Sequence, residues 1–135
     1  RVLAQELGVH DRNRIESMDH NALAQFLPQQ DIYVHYSISE GVPRAILEAM
    51  AVGLPVVATD VGFIRGILRH NENAILLEKP YAENLKKAVL DLSKSEVLRK
   101  KLGVNARKMI ENNFESNHVF KLYRDSILEM KSGGD

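Results

Sequence analysis

The sequence predicts an α/β domain: a parallel sheet of short strands flanked by helices, with a helical C-terminal part. Three observations predict it. Short β-branched and aromatic runs at 31–35, 55–59 and 74–77 alternate with segments of helical period. The segment after Pro43 is apolar on nearly every side, as a helix buried between layers must be. Beyond Pro80 the apolar spacing is helical throughout.

Each element has its own signal. Residues 1–7 read as the end of a helix that Gly8 closes. A helix already under way at Arg1 leads us to expect a fragment of a longer protein. After a polar turn, residues 14–18 (RIESM) form a candidate strand. Asp19 to Asn21 supply capping residues for a helix with Leu23, Phe26 and Leu27 on one face, ended by Pro28. The run 31–35 reads as a buried strand.

The stretch 39–60 (SEGVPRAILEAMAVGLPVVATD) is the centre of the chain. Gly41 permits close backbone approach, and Pro43 suits the first helical position, where its missing N–H costs nothing. The helix that follows would turn its free amides and positive end toward residues 40–43, a place suited to phosphate. Glu48 is its only charge after the first turn, and a buried carboxylate is costly unless a protein donor or a ligand hydroxyl satisfies it. Gly53 should be a left-handed cap, and Pro55 opens the next strand. Residues 62–69 are a loop with room for a helical turn, and 74–77 the last strand. Leu85, Ala88, Val89 and Leu92 then mark one helix, and Leu98, Leu102, Ala106, Met109 and Ile110 a second. Val119, Tyr123, Ile127 and Met130 mark a third. Ser95 and Ser116 are the candidate caps of the last two. In parallel sheets ligands gather at the carboxyl ends of strands, where the Ser37–Ile38–Ser39–Glu40–Gly41 and Asp60–Val61–Gly62 turns lie.

Composition narrows the classes. At 135 residues the chain holds one domain at most. Lys plus Arg equals Asp plus Glu at 18 each, so no basic excess calls for nucleic acid. No apolar run reaches the length of a membrane span. The absence of cysteine excludes disulfide and thiol chemistry and fits a reducing, cytoplasmic setting. His10, His20, His35, His70 and His118 lack metal-ligand spacing, so no metal is expected. Only His35, at a strand end, lies close to the motif.

Glu40, seven intervening residues and Glu48, set in EGVPRAILEAMAVGLPVVATD and followed by Val-Gly, resemble a known donor-binding signature. It belongs to retaining glycosyltransferases of the two-Rossmann-domain (GT-B) type, with glycosyltransferase family 4 the nearest match. The resemblance runs from about residue 1 to about residue 128 and corresponds to the last third of such an enzyme. It implies a Rossmann-like, incomplete half of a GT-B enzyme. Residues 1–131 would be a partial C-terminal nucleotide-sugar-binding domain, and 132–135 a frayed tail.

The resemblance also implies the chemistry. A hexose would pass from a nucleotide-diphosphate sugar to a glycan or lipid-linked acceptor with retention of configuration. This chain would supply the donor-binding half and be inactive alone, the acceptor domain lying outside it. Glu40, the catalytic residue of this set, would meet sugar hydroxyls, and Glu48 the ribose. Ser39 would touch the donor, while Gly41, Val42 and Pro43 would present backbone amides to sugar or pyrophosphate. No cofactor and no metal are implied, because helix amides can take the anion. The sequence departs from the family pattern at Phe63, Gly66, Met18 and His35-Tyr36.

Other readings of the same residues stand beside these. The chain could be a non-catalytic nucleotide-sugar-binding module or split-enzyme subunit, or a nucleotide-sugar epimerase. Glu40 could be a loop residue stabilised by the helix dipole. Glu48 could pair with a buried arginine or a backbone donor. Arg44 reads as solvent-facing, and Asp60 as a cap for its turn. The lysine-rich run 86–108 reads as solvated helix faces, or as a peripheral contact with an anionic membrane surface.

Overall fold

The computed structural model describes residues 16–39 and 44–114, the side chain of Phe63 apart. The loop 40–43, the expected helices at 1–7 and 119–130, the Ser116 cap and the 131/132 boundary lie outside the described residues.

Three strands form one parallel sheet in the order β1-β2-β3: β1 (Tyr33–His35), β2 (Val56–Thr59) and β3 (Ile75–Leu77). Tyr33 lies beside Val56, and Val57 beside Ile75. Every residue of β2 is buried, as a central strand covered on both faces requires, and its sequence is correspondingly apolar without alternation. Pro55 stays outside β2 because it has no N–H to give, yet its carbonyl still accepts from Tyr33 N at 3.0 Å.

Among the described residues four helices flank the sheet: α1 (His20–Phe26), α2 (Arg44–Ala51), α3 (Ala82–Lys94) and α4 (Glu96–Phe114). The local signals operate as expected. Asp19 Oδ1 accepts from Ala22 N at 2.8 Å and caps α1, which passes through a 3-10 turn at Leu27–Gln29. Ser95 Oγ accepts from Leu98 N at 3.2 Å and starts α4. Gly53 has φ 79°, with Gly53 N donating to Met50 O and Leu54 N to Ala49 O, both at 3.0 Å. That pair of bonds is a Schellman cap, which only glycine enters without strain.

Two apolar clusters form the core. Val56 and Ala58 pack with Ile46, Met50, Leu27, Ile64, Leu68, Ala106 and Ile110. Val57 and Leu77 pack with Ala88, Leu92 and Leu102. Neighbouring β2 residues thus enter different clusters, as alternation across a strand dictates. Helix α4 serves both, and it reaches α2 through glycine. A Cβ built on Gly103 would fall 2.0 Å from the Gly53 carbonyl oxygen.

One expectation changes. Residues 16–18, the described part of the expected 14–18 strand, form no strand. Glu16 and Ser17 are exposed, whereas a strand of this sheet would be covered. The segment 62–69 holds the helical turn for which its sequence has room, a 3-10 helix at Gly62–Gly66. The lysines at 86, 87, 94, 100, 101 and 108 are all exposed, on the outer faces of α3 and α4. No helix among the described residues is long and apolar enough to cross a membrane.

Two stability predictions follow from this packing. Gly103→Ala gains about 1 kcal/mol of helix propensity but forces two backbones apart, at roughly 1–3 kcal/mol or more. Urea unfolding should therefore show net destabilisation, while Gly66→Ala, with nothing within 4 Å of its new Cβ, leaves the midpoint nearly unchanged. Ser95→Ala removes the α4 cap and should cost about 1 kcal/mol in the same measurement.

Candidate functional site

Helix α2 carries the site. Ile46, Ala49, Met50 and Ala51 are buried on it, and so is Glu48, only 3% exposed. Packing between the sheet and α4 leaves this helix almost no solvent face, so its one carboxylate is drawn inside with it. The Glu48 Oε1 atom is enclosed and has no hydrogen-bond partner among the described residues. Among those residues, His20 Nδ1 lies 3.6 Å from it, on a side chain 61% exposed. That distance is an electrostatic neighbour, not a hydrogen bond. Neither the buried arginine nor the backbone donor that a purely structural Glu48 would need is present among the described residues.

The loop leading to α2 is fixed at its start by β2. Thr59 is fully buried, and its Oγ1 donates to Ser37 O at 2.6 Å while accepting from Ser37 N at 3.0 Å. One hydroxyl thus satisfies both backbone groups of Ser37 and ties the carboxyl ends of β1 and β2 together. Ser37 Oγ then donates to Ser39 O at 3.2 Å, and Ser39 itself is exposed. Glu40, Gly41, Val42 and Pro43 lie outside the described residues. Of the expected donor-binding set, Ser39 and Glu48 are therefore the two whose surroundings are described.

The remaining candidates resolve as follows. Arg44 is exposed, as expected. Asp60 does not cap the 3-10 helix after it; Val61 occupies the cap position without a side-chain bond. Asp60 Oδ1 instead accepts from Arg65 Nε at 2.7 Å, and this bond, with the Asp60 charge, raises the Arg65 guanidinium above its ordinary value. His35 packs along its own strand, its ring 6.3 Å from Tyr33 with the planes inclined by 22°. His70 is held by a backbone bond, its Nδ1 accepting from Leu76 N at 3.0 Å. Among the described residues no group of three His, Asp or Glu side chains is placed to hold a metal ion. A cavity of about 350 Å³ bounded by His70, Asn84, Lys87 and Asp91 shares no residue with the Glu48 site.

Two residues beside these candidates had little or no signal in the sequence. Thr59 had a weak signal, a hydroxyl ending an otherwise apolar strand. His20 had none, because only the folded chain brings it to Glu48 across 28 positions of sequence.

Comparison with known proteins bears on the family and the fold. The chain is 27% identical over 135 residues to the N-acetyl-alpha-D-glucosaminyl L-malate synthase of Bacillus anthracis, covering 97% of this chain and 35% of that protein. Its fold matches sucrose-phosphate synthase from Thermosynechococcus elongatus (TM-score 0.81, 24% identity, 98% of this chain and 34% of that one). It also matches the Anabaena protein HepE in complex with UDP (TM-score 0.77, 22% identity, 96% of this chain and 35% of that one). A third match is the C-terminal domain of a glycosyl transferase group 1 family protein, LpcC, from Francisella tularensis (TM-score 0.74, 24% identity, 84% of this chain and 59% of that one). The chain spans about a third of the length of the first of these relatives. The model of one family, the glycosyl transferases group 1, matches residues 1–109, and the chain belongs to that family.

Proposed function

We propose that this chain binds the donor in glycosyl transfer: a nucleotide-diphosphate hexose, passed with retention to a glycan or lipid-linked acceptor held by another domain. The single observation that carries the proposal is the enclosed, partnerless Oε1 of Glu48. An ionised carboxylate only accepts hydrogen bonds, and leaving such a group buried and unpaired costs roughly 1–3 kcal/mol or more. A fold keeps that cost where something outside the chain supplies the donor. A ribose hydroxyl is neutral, donates, and suits an oxygen that would repel a phosphate.

Family membership and the HepE complexes with UDP and with UDP-glucose support the same ligand class. The first turn of α2 has no acidic residue, so its positive end is left for an anion, and the diphosphate belongs there without a metal ion. Ser39, Gly41, Val42 and Pro43 then contact the sugar and pyrophosphate. Glu40 meets the sugar hydroxyls beside the reacting carbon. The protein's catalytic share is to hold the leaving diphosphate and stabilise the charge that develops on it.

Calorimetric titration with UDP-, GDP- and ADP-glucose tests donor binding, and Glu48→Gln tests the residue. The variant should weaken binding at least tenfold, about 1.4 kcal/mol. It should leave the unfolding midpoint unchanged or raise it, because a partnerless buried carboxylate is replaced by a neutral amide. Undiminished binding together with a lower midpoint would mean that Glu48 serves the fold instead.

A further inference from the structure

Glu48 Oε1 presents a physical contradiction that its own pocket does not resolve. The atom is enclosed, yet the proposed ligand must touch it. Some group has to move, and that group should be close to the oxygen, reach solvent and be held by nothing else. His20 meets all three conditions. Its Nδ1 lies 3.6 Å from Oε1, and its side chain is 61% exposed. It is the first residue of α1, whose cap is supplied by the neighbouring Asp19, so its side chain has no part in starting the helix. No hydrogen bond among the described residues holds its ring. His70, by contrast, is fixed by Leu76 N.

We propose that His20 gates Glu48 and, once a nucleotide has entered, gives the second hydrogen bond to the same pair of ribose hydroxyls. The histidine and the carboxylate together would then select ribonucleotides over 2′-deoxyribonucleotides. The inference rests on the donor-binding reading given above and adds a residue that neither the motif nor the family match assigns. Its chemistry is specific to hydroxyls. A neutral imidazole presents Nδ1 as donor or acceptor according to tautomer, and a hydroxyl can answer either. In the closed position Nδ1 lies 3.6 Å from Oε1, too long for a direct bond, so the imidazole leaves no hydrogen bond behind when it rotates to meet the second of two adjacent hydroxyls. A single hydroxyl would satisfy the buried oxygen and leave the imidazole idle. Movement of the gate needs only rotation of an exposed side chain, a fast process that leaves α1 in place.

The test uses the 135-residue chain with uridine, guanosine and adenosine diphosphates, taking forward whichever binds most tightly together with its 2′-deoxy form. His20 should move on titration, its ring proton–carbon NMR signal shifting while that of His70 stays in place. In wild type the ribo form should bind about tenfold more tightly, the scale of one hydrogen bond. His20→Ala should bring that preference to within about threefold. His20→Asn, whose amide lies near the position of Nδ1, should restore most of it.

The outcomes separate the two proposals. Loss of binding in Glu48→Gln, with the preference intact in His20→Ala and an unmoved His20 signal, overturns the gate and leaves the donor site standing. Failure of all three diphosphates to bind wild type, or unchanged affinity in Glu48→Gln, overturns both.

Discussion

The backbone contact between Gly53 and Gly103 decides where α2 lies. Each glycine has a separate reason to lack a side chain. Gly53 adopts φ 79° to close the α2 cap, and Gly103 would drive a Cβ into the Gly53 carbonyl. Together they let α4 lie directly against the end of α2, so that Ala106 and Ile110 reach the cluster containing Ile46 and Met50. A bulkier pair would lift α4 away, and Ala49 and Met50 on α2 would lose apolar cover. The seating of α2, from which Glu48 meets His20 of α1 at 3.6 Å, depends on that close approach.

Stability and ligand chemistry pull against each other along this helix. Eight residues with buried Ile46, Ala49, Met50 and Ala51 are what a core wants, and an apolar residue at position 48 would continue the pattern at lower free energy. The same conflict is absent at the other buried polar groups. Asn73 is 3% exposed and is satisfied by Arg69 N at 2.7 Å and Ile67 O at 3.1 Å. Thr59 is satisfied on both sides of Ser37. The fold therefore satisfies its buried polar groups where it needs them for structure. Glu48 stands apart from that practice, and local violations of this kind concentrate at functional sites.

Features that depend on near neighbours in sequence were legible beforehand. The Asp19 and Ser95 caps, the Gly53 cap, the burial of α2 and the helical period of α3 and α4 each need only a few adjacent residues to specify them. Features set by distant contacts were not. Nothing in HNALAQF marks His20 as a neighbour of Glu48, and nothing in the interior of α4 marks Gly103 as a contact rather than a weak point in the helix. Of the strand expected at 14–18, residues 16–18 are described and form none, with Glu16 and Ser17 exposed where a covered strand would bury them. Asp60 illustrates a third case, where two local outcomes competed. A capping role and a bond to Arg65 both suit an aspartate before a turn, and the arginine five residues on decided between them.

The two ends of the sheet carry different duties. Gly53 lies just before β2, so α4 meets α2 near the amino end of that strand, while Thr59, Ser37 and Asp60 cluster at the carboxyl ends. Helix α2 runs between the two, its Gly53-capped end against α4 and Arg44 at its other end. Packing at one end thus fixes the direction of the helix and of the dipole at its other end, with Glu48 between them. Such a division keeps the glycine contact apart from the carboxyl-end turns. It also explains why the departures at His35-Tyr36, Phe63 and Gly66 leave the sheet register and the α2 packing intact. These positions lie at or beside the carboxyl-end turns and away from the Gly53–Gly103 contact.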